Sequence, residues 1–376
     1  MNKRTAIAVN TRFLIKGKLE GIGLFTQEVM KAFVQQHPEI DFYFLFDRAY
    51  DPSFIFGPNV HPVVLFPPAR HPLLWFIWFE WSVANWLNKY QPSLFISTDG
   101  FCALRTKTPT ITVIHDIAYE HFPNHVGKLV RWYYQFFVPK FIHHSQKIVT
   151  VSEFTKTDVI THYHTSESKI DVVYNAAKEV YQPIAISDQE SIRMKVSDGK
   201  PYFVYVGSIH PRKNIVRLLE AFDAFKAQTK SETKLIIVGR KAWQHSDVEA
   251  TLDKLASKND ILFLGHLSSE ETASIVASSL AMCYVSLFEG FGIPIVEAQQ
   301  AGTAVITSNL SSMPEAADEG ALLVDPNDTQ AIANAMQRIF EAPLLRETLI
   351  QKGFENSKRF SWEKSAEKLW HTIQTL

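Results

Sequence analysis

Cysteine is almost absent from this chain. Cys102 and Cys283 are the only two in 376 residues, far apart and at no metal-binding or redox spacing, so a reduced, cytoplasmic protein is expected. Long apolar runs are missing too. The nearest is HPLLWFIWFEWSVANWLNKY (His71–Tyr90), where Glu80 interrupts and no run reaches the roughly 18 residues a spanning helix needs. It reads as a core helix built on Trp75, Trp78, Phe79, Trp86 and Leu87, with a helix lying on lipid as the alternative. At the start, MNKRTAIAVNTRF puts basic residues before an apolar run, but AIAV is too short for a signal segment and reads as a first strand. Net charge is only −1, which leaves no global field to recruit nucleic acid. The glycine pairs Gly21/Gly23 and Gly290/Gly292 lack the third glycine of a dinucleotide fingerprint, and there is no P-loop. No Asp-x-Asp closes a strand to hold a divalent metal, so no metal and no cofactor are expected. Any phosphate must be met by backbone N–H groups and cationic side chains.

What is present is a soluble globular composition, 46% hydrophobic and 20% charged, at a length that favours two domains. Residues 1–178 carry 18 Lys+Arg against 14 Asp+Glu and 10 of the 14 histidines; the remainder carries 20 against 25. A mildly basic first half suits an anionic acceptor or surface, though solvated faces explain such an imbalance equally well.

Short β-branched and aromatic runs alternate with helical patterns. AIAV (6–9), FYFLF (42–46), LFIS (94–97), TITVI (110–114), KIVTVS (147–152) and KIDVVY (169–174) read as strands. The pattern restarts with YFVYVGS (202–208), KLIIVG (234–239), ILFLG (261–265), AMCYVS (281–286), TAVITS (303–308) and ALLVD (321–325). This predicts an α/β chain of two doubly wound, Rossmann-like parallel-sheet domains with ligand crevices beyond the strands' carboxyl ends. We expect a first domain over 1–178, a linker over 179–200 and a second domain over 201–361.

Two stretches carry the chemistry. In YVGSIHPRKNIVRLLEAF (Tyr205–Phe222) a strand is followed by a helix expected to start near Asn214 as N-cap, which crowds Arg212 and Lys213 at its positive end. An anion would relieve that repulsion, and the pair would chelate a diphosphate; the alternative is a solvated loop. In SLFEGFGIPIVEA (Ser286–Ala298), Gly290 and Gly292 permit a tight turn and Pro294 suits a helix start, whose free N–H groups favour anions. Glu289 lies in the turn and Glu297 about one turn into the helix that follows, two carboxylates placed to contact different parts of one elongated ligand, each able to accept a vicinal diol. Either alone also reads as helix-start stabilisation. His115 and Asp116 close the strand TITVI, as a site residue or as a structural pair; Ser152 reads as an N-cap. His143, His144, His162 and His164 lack the partners of a metal site.

At this point the chain resembles the retaining GT-B glycosyltransferases of glycosyltransferase family 4. The likeness rests on Glu289–x7–Glu297 within SLFEGFGIPIVEA, on VGSIHPRKN, on VTVSEFTKTDVI (149–160), on AGTAVITSNLSSMPEAADEGALLVDPND (301–328) and on FSWEKSAEKLW near the end. It implies a GT-B fold, with the two domains facing across a cleft. It further implies that Glu297 holds the ribose of a nucleotide diphosphate sugar, and that Glu289 contacts the transferred sugar beside the main chain of Phe291, Gly292 and Ile293. Arg212 and Lys213 match the pair that neutralises the diphosphate. The loop with Gly21 and Gly23 lies near the donor phosphate or acceptor, and His115 faces the donor sugar. The final amphipathic segment, about 362–376, is implied to return to the first domain.

The activity implied is metal-independent transfer of a hexose to a glycan or lipid-linked saccharide, as in bacterial mannosyltransferases of surface-polysaccharide synthesis. GDP-mannose is the first choice of donor, with UDP- or dTDP-sugars as alternatives. Same-face attack and double displacement through Glu289 both stay open. So do a sugar-nucleotide epimerase and a non-catalytic sugar-nucleotide sensor on the same fold. Peripheral contact with the inner membrane through KLVRWYYQFFVPKF (Lys128–Phe141) is a further expectation, against a buried helix as the alternative.

Overall fold

A computed structural model describes residues 5–240 and 246–376. The chain divides into two compact units, one comprising residues up to Asn175 together with Trp362–Leu376, the other Ala176–Ser361.

In the first unit, seven strands form one parallel sheet: β1 (Ala6–Asn10), β2 (Asp41–Phe46), β3 (Val60–Val64), β4 (Leu94–Ser97), β5 (Thr110–Ile114), β6 (Lys147–Thr150) and β7 (Ile170–Val172), in the order β3-β2-β1-β4-β5-β6-β7. Ile7, Val9, Phe42, Phe44, Phe95, Ile96, Ile111 and Val113 are almost wholly buried. Both faces of the sheet are covered, which is why these strands read as continuous apolar runs rather than alternating ones. The one strand missing from the sequence reading is β3, VHPVV. Pro62 cannot donate to a ladder, and the strand sits at the sheet edge, where that loss is tolerated.

The aromatic run 71–90 is a core segment. It winds as helix Pro72–Ile77, a π-helical turn Trp78–Val83 and helix Ala84–Tyr90, burying Trp78, Phe79, Leu87 and most of Trp86. Glu80 is buried as well, its carboxylate accepting the N–H of Leu104 at 2.8 Å. No helix among the described residues is long and apolar enough to cross a membrane. Helix Lys128–His144 buries Tyr133, Val138, Phe141 and Ile142, yet leaves Leu129, Trp132 and Phe136 exposed at i, i+3, i+7 spacing. The final helix, Trp362–Gln374, packs on helix Gly21–Gln36, with Trp362 against Phe25 and Trp370 against Phe33 and His37.

The second unit has six parallel strands: β8 (Tyr202–Val206), β9 (Lys234–Val238), β10 (Ile261–Gly265), β11 (Ala281–Tyr284), β12 (Ala304–Ser308) and β13 (Ala321–Val324), in the order β10-β9-β8-β11-β12-β13. The segment expected as a linker, 179–200, is different: it holds helix Ile186–Ser197 and lies within this unit. Arg193 of that helix donates from Nε to the carbonyl of Ser278 at 2.9 Å. Few of its residues are apolar, so no periodicity announces it in the sequence.

In each sheet the strand order reverses once, between β1 and β4 and between β8 and β11. Such a reversal opens a crevice beyond the strand carboxyl ends. In the second unit Gly207 and Gly239 close β8 and β9 at φ +152° and +150°. A Cβ on Gly239 would lie 1.8 Å from the Gly207 carbonyl oxygen. Gly239→Ala is therefore expected to displace the loop after β8 and to cost about 3 kcal/mol, the upper end of overpacking penalties, read as a lower thermal unfolding midpoint. An unchanged midpoint would show that the two backbones are free to separate.

Candidate active site

The second unit's crevice is built from the loops after β8 and β11. After β8, Pro211–Lys213 forms a short 3-10 turn, with the His210 side chain accepting the Arg212 N–H. Helix Ile215–Thr229 then begins, but Asn214 does not cap it as expected. Asn214 adopts φ +62°, and its amide donates to the carbonyls of Val285 and Pro326 at 3.1 and 2.7 Å. It staples the β8 loop to the loops after β11 and β13 instead.

Arg212 and Lys213 consequently turn towards the loop after β11. Arg212 Nη1 donates to the Phe288 carbonyl at 2.6 Å and to Glu289 Oε2 at 3.1 Å. Lys213 Nζ donates to Glu289 Oε1 and, at 2.7 Å, to the Tyr284 hydroxyl, which itself donates to Glu289 Oε1 at 3.0 Å. The sequence reading had both cations waiting for an outside anion; here Glu289 is that anion. Burial alone would raise the Glu289 pKa, but Lys213 and Arg212 reverse this and hold it down at about 2.

The turn that follows is pinned from behind. Ser311 Oγ accepts the Glu289 N–H at 3.1 Å, and Ser312 Oγ faces the carbonyls of Glu289 and Phe291 at 2.8 and 3.0 Å. Gly292, at φ +102°, turns the chain into helix Ile293–Gln300, where Pro294 occupies the second position and no side chain caps the start. Phe291 is buried against Phe360. Glu289, Arg212 and Lys213 thus form one bonded cluster, with Phe291, Gly292 and Ile293 on the turn that leaves it.

Glu297 has other company. It is buried, and burial raises its pKa to about 7 against the opposing pull of Lys178 and Tyr181. Tyr181 comes from the segment that looked like a linker, and Lys178 is the last residue of the expected first domain, although both lie in the second unit. The two glutamates therefore differ sharply: one is a fixed anion, the other is poised to gain or lose a proton near neutrality.

His115, Gly21 and Gly23 belong to the first unit. The His115 side chain is 2.9 Å from the Thr98 carbonyl through Nε2, and burial lowers its pKa, so it is neutral and donates that bond. It does not form the suggested pair with Asp116, whose carboxylate accepts the Ala118 N–H. Phe25 meets the imidazole edge-on with ring centroids 5.2 Å apart. Phe25 lies one turn into helix Gly21–Gln36, so the Gly21–Gly23 start is tied to His115 through it. At Gly23 a Cβ would sit 2.7 Å from the Phe13 carbonyl oxygen, which explains that glycine. Sequence reasoning missed Tyr284, Lys178, Tyr181 and the Ser311–Ser312 pair. Only Tyr284 had a visible signal, a polar-tipped residue ending an apolar strand.

Two doubly wound parallel units are the layout of the GT-B glycosyltransferases, and the family comparisons place the chain in that class. Residues 19–178 match Glycosyltransferase Family 4, and residues 187–356 match Glycosyl transferases group 1. The chain belongs to the glycosyltransferase family 4 type of GT-B glycosyltransferase. It is 28% identical to O-antigen chain mannosyltransferase B of Escherichia coli over 67% of each chain. It is also 28% identical to the O-antigen chain mannosyltransferase RfbU of Salmonella typhimurium, over 76% of each. In fold it is similar to Anabaena HepE, solved with UDP and glucose, with a TM-score of 0.77 at 18% identity, covering 99% of this chain and 100% of that one.

Glu289→Gln removes the buried carboxylate bonded to both Arg212 and Lys213, which are partly buried, so it should destabilise the protein by about 3 kcal/mol at pH 7. Because the folded pKa is depressed from 4.5 to about 2, this stabilisation is complete above 4.5 and is lost as pH falls towards 2. The difference between wild type and variant should narrow over that window in chemical denaturation. Equal stabilities at pH 7 would contradict the cluster.

Proposed function

We propose that this chain transfers a hexose from a nucleotide diphosphate sugar to a hydroxyl of a glycan or lipid-linked saccharide, with retention of anomeric configuration, in surface-polysaccharide synthesis. Mannose from GDP-mannose is the first choice, supported by the O-antigen mannosyltransferases among its relatives. The observation that carries the reading is the Arg212–Lys213–Glu289 cluster beside an uncapped helix start.

The chemistry follows from exchange of partners within that cluster. An arriving diphosphate competes with Glu289 for Arg212 and Lys213, and its oxygens also face the main-chain N–H groups of Gly292 and Ile293 at the start of helix Ile293–Gln300. As the bond from sugar to phosphate breaks, negative charge grows on the leaving oxygen, where fixed cations and backbone dipoles stabilise it without reorganising. Glu289, released from part of its ion pairing, accepts hydroxyls of the sugar. Glu297 accepts the ribose diol, and His115, neutral, is assigned to the donor sugar. The departing phosphate takes up the acceptor's proton on the same face. No metal is required in this scheme, because the two cations fill that role. Leu129, Trp132 and Phe136, with Lys128 and Lys140 on the same helix, support peripheral contact with an anionic membrane.

The test is slow hydrolysis and thermal stabilisation across GDP-, UDP-, ADP- and dTDP-sugars without added metal. One donor should give both, with hydrolysis reduced at least a hundredfold in Glu289→Gln. Hydrolysis undiminished in that variant would remove Glu289 from the reaction. Glu297 gives a second readout. If the ionised form accepts the ribose hydroxyls, nucleotide affinity rises with pH through about 7 and levels off above it. Glu297→Gln should bind more weakly and without that slope; a wild-type affinity flat between pH 6 and 8 would contradict the assignment.

A further inference from the structure

The first unit has a reversal of its own, and a second arginine–carboxylate pair spans it. Arg12 follows β1 and Asp99 follows β4; their side chains bond through Arg12 Nε and Asp99 Oδ2. Beside them is a cavity of ≈280 Å³, lined by residues that follow the carboxyl ends of β1 to β4 and by Tyr134. That is room for a single sugar phosphate rather than an oligosaccharide.

Arg12 is the unusual element. Only 6% of it is exposed, and it forms part of the cavity wall. A guanidinium carries five N–H donors. One goes to Asp99 and one to the Ala69 carbonyl at 3.4 Å, which leaves three without an acceptor among the described residues. The rings of Phe13, Trp75, Phe79 and Phe101 lie 4.8–5.8 Å from the guanidinium carbon. They stabilise the charge but offer no lone pair. A buried cation with idle donors is costly unless something fills them.

The neighbours share the bias. Arg48 is held by Asp47 through two bonds of 2.6 and 2.7 Å, and Arg70 is exposed with no side-chain partner among the described residues. Three guanidinium groups thus face two carboxylates, Asp47 and Asp99, a surplus of one positive charge. Aromatic rings line another part of the cavity. Trp75 and Tyr134 stack with an interplanar angle of 6°, and Phe101 packs on both. No described residue bonds the Tyr134 hydroxyl.

We propose that this cavity binds a phosphorylated saccharide, the charged end of the acceptor. This rests on the transferase reading above. The phosphoryl oxygens take the idle N–H groups of Arg12 and Arg70, and the sugar ring lies on the Trp75–Phe101–Tyr134 wall. A phosphoryl group brings three acceptor oxygens to the guanidinium donors, where a carboxylate brings two.

The experiment is calorimetric titration of the whole chain with mannose 1-phosphate, inorganic phosphate and mannose, alongside GDP and UDP. Mannose 1-phosphate should bind, inorganic phosphate at least tenfold more weakly, and mannose not measurably. Arg70→Ala, an exposed substitution that leaves the fold intact, should weaken mannose 1-phosphate at least tenfold and leave nucleotide binding unchanged. Trp75→Leu should weaken mannose 1-phosphate more than inorganic phosphate. No binding of mannose 1-phosphate, or equal binding by Arg70→Ala, overturns the proposal. So does its competitive displacement by GDP or UDP, which would make the anion site the donor's. Normal sugar-phosphate binding with no nucleotide bound would sustain the pocket and overturn the transferase reading instead.

Discussion

The constraint that organises this protein is a cation pair that cannot be buried without an anion. Arg212 and Lys213 sit where two strands diverge, in a loop fastened by Asn214 to the backbone after β11 and β13. Leaving them uncompensated there would cost several kcal/mol. Glu289 supplies the charge, and Tyr284 supplies a hydroxyl that bonds both Lys213 and Glu289. The local fold follows from that requirement. Glu289 must be held on a turn rather than a helix, so glycines flank Phe291 and two serines brace the turn from behind. The next helix starts directly after that turn, with no side chain capping it.

An ion pair of this kind does more than stabilise. A diphosphate can replace the carboxylate on the two cations at little net electrostatic loss, since the site has already met the desolvation cost of holding them. In the proposed reaction the carboxylate so released accepts hydroxyls of the transferred sugar. One exchange therefore couples donor binding to preparation of the sugar site. Glu297 takes no part in it. Burial outweighs the opposing pull of Lys178 and Tyr181, so it keeps its proton up to about neutral pH, and the proposed interaction with a diol is set by pH rather than by charge exchange. The first unit repeats the layout with Arg12 and Asp99 across its own strand reversal, and there the arginine's donors are incompletely used.

Much of the fold was legible in the sequence because both sheets are covered on two faces, which turns nearly every strand into a recognisable apolar run. β3 escaped because Pro62 masks an edge strand, and helix Ile186–Ser197 because it has almost no apolar face. The candidate site was legible at Glu289, Glu297, Arg212 and Lys213, whose types and positions after strands are local facts. Their pairing was not. Arg212 and Glu289 are 77 residues apart, and Arg12 and Asp99 87, so only the strand order brings them together. The expectation of repulsion at a helix start also failed for a local reason, since Asn214 enters a left-handed conformation and turns the cations away from that helix.

The central claim, that Glu289 stands in for a diphosphate, is tested most directly by following the Glu289 carboxyl carbon by NMR as pH is lowered, with and without saturating GDP or UDP. Free protein should titrate near pH 2, and the nucleotide that binds should move the transition up towards the ordinary carboxylate range, because its phosphates take over Arg212 and Lys213. A transition that stays near 2 with nucleotide bound would mean the cations never leave Glu289, and the exchange described here would be wrong.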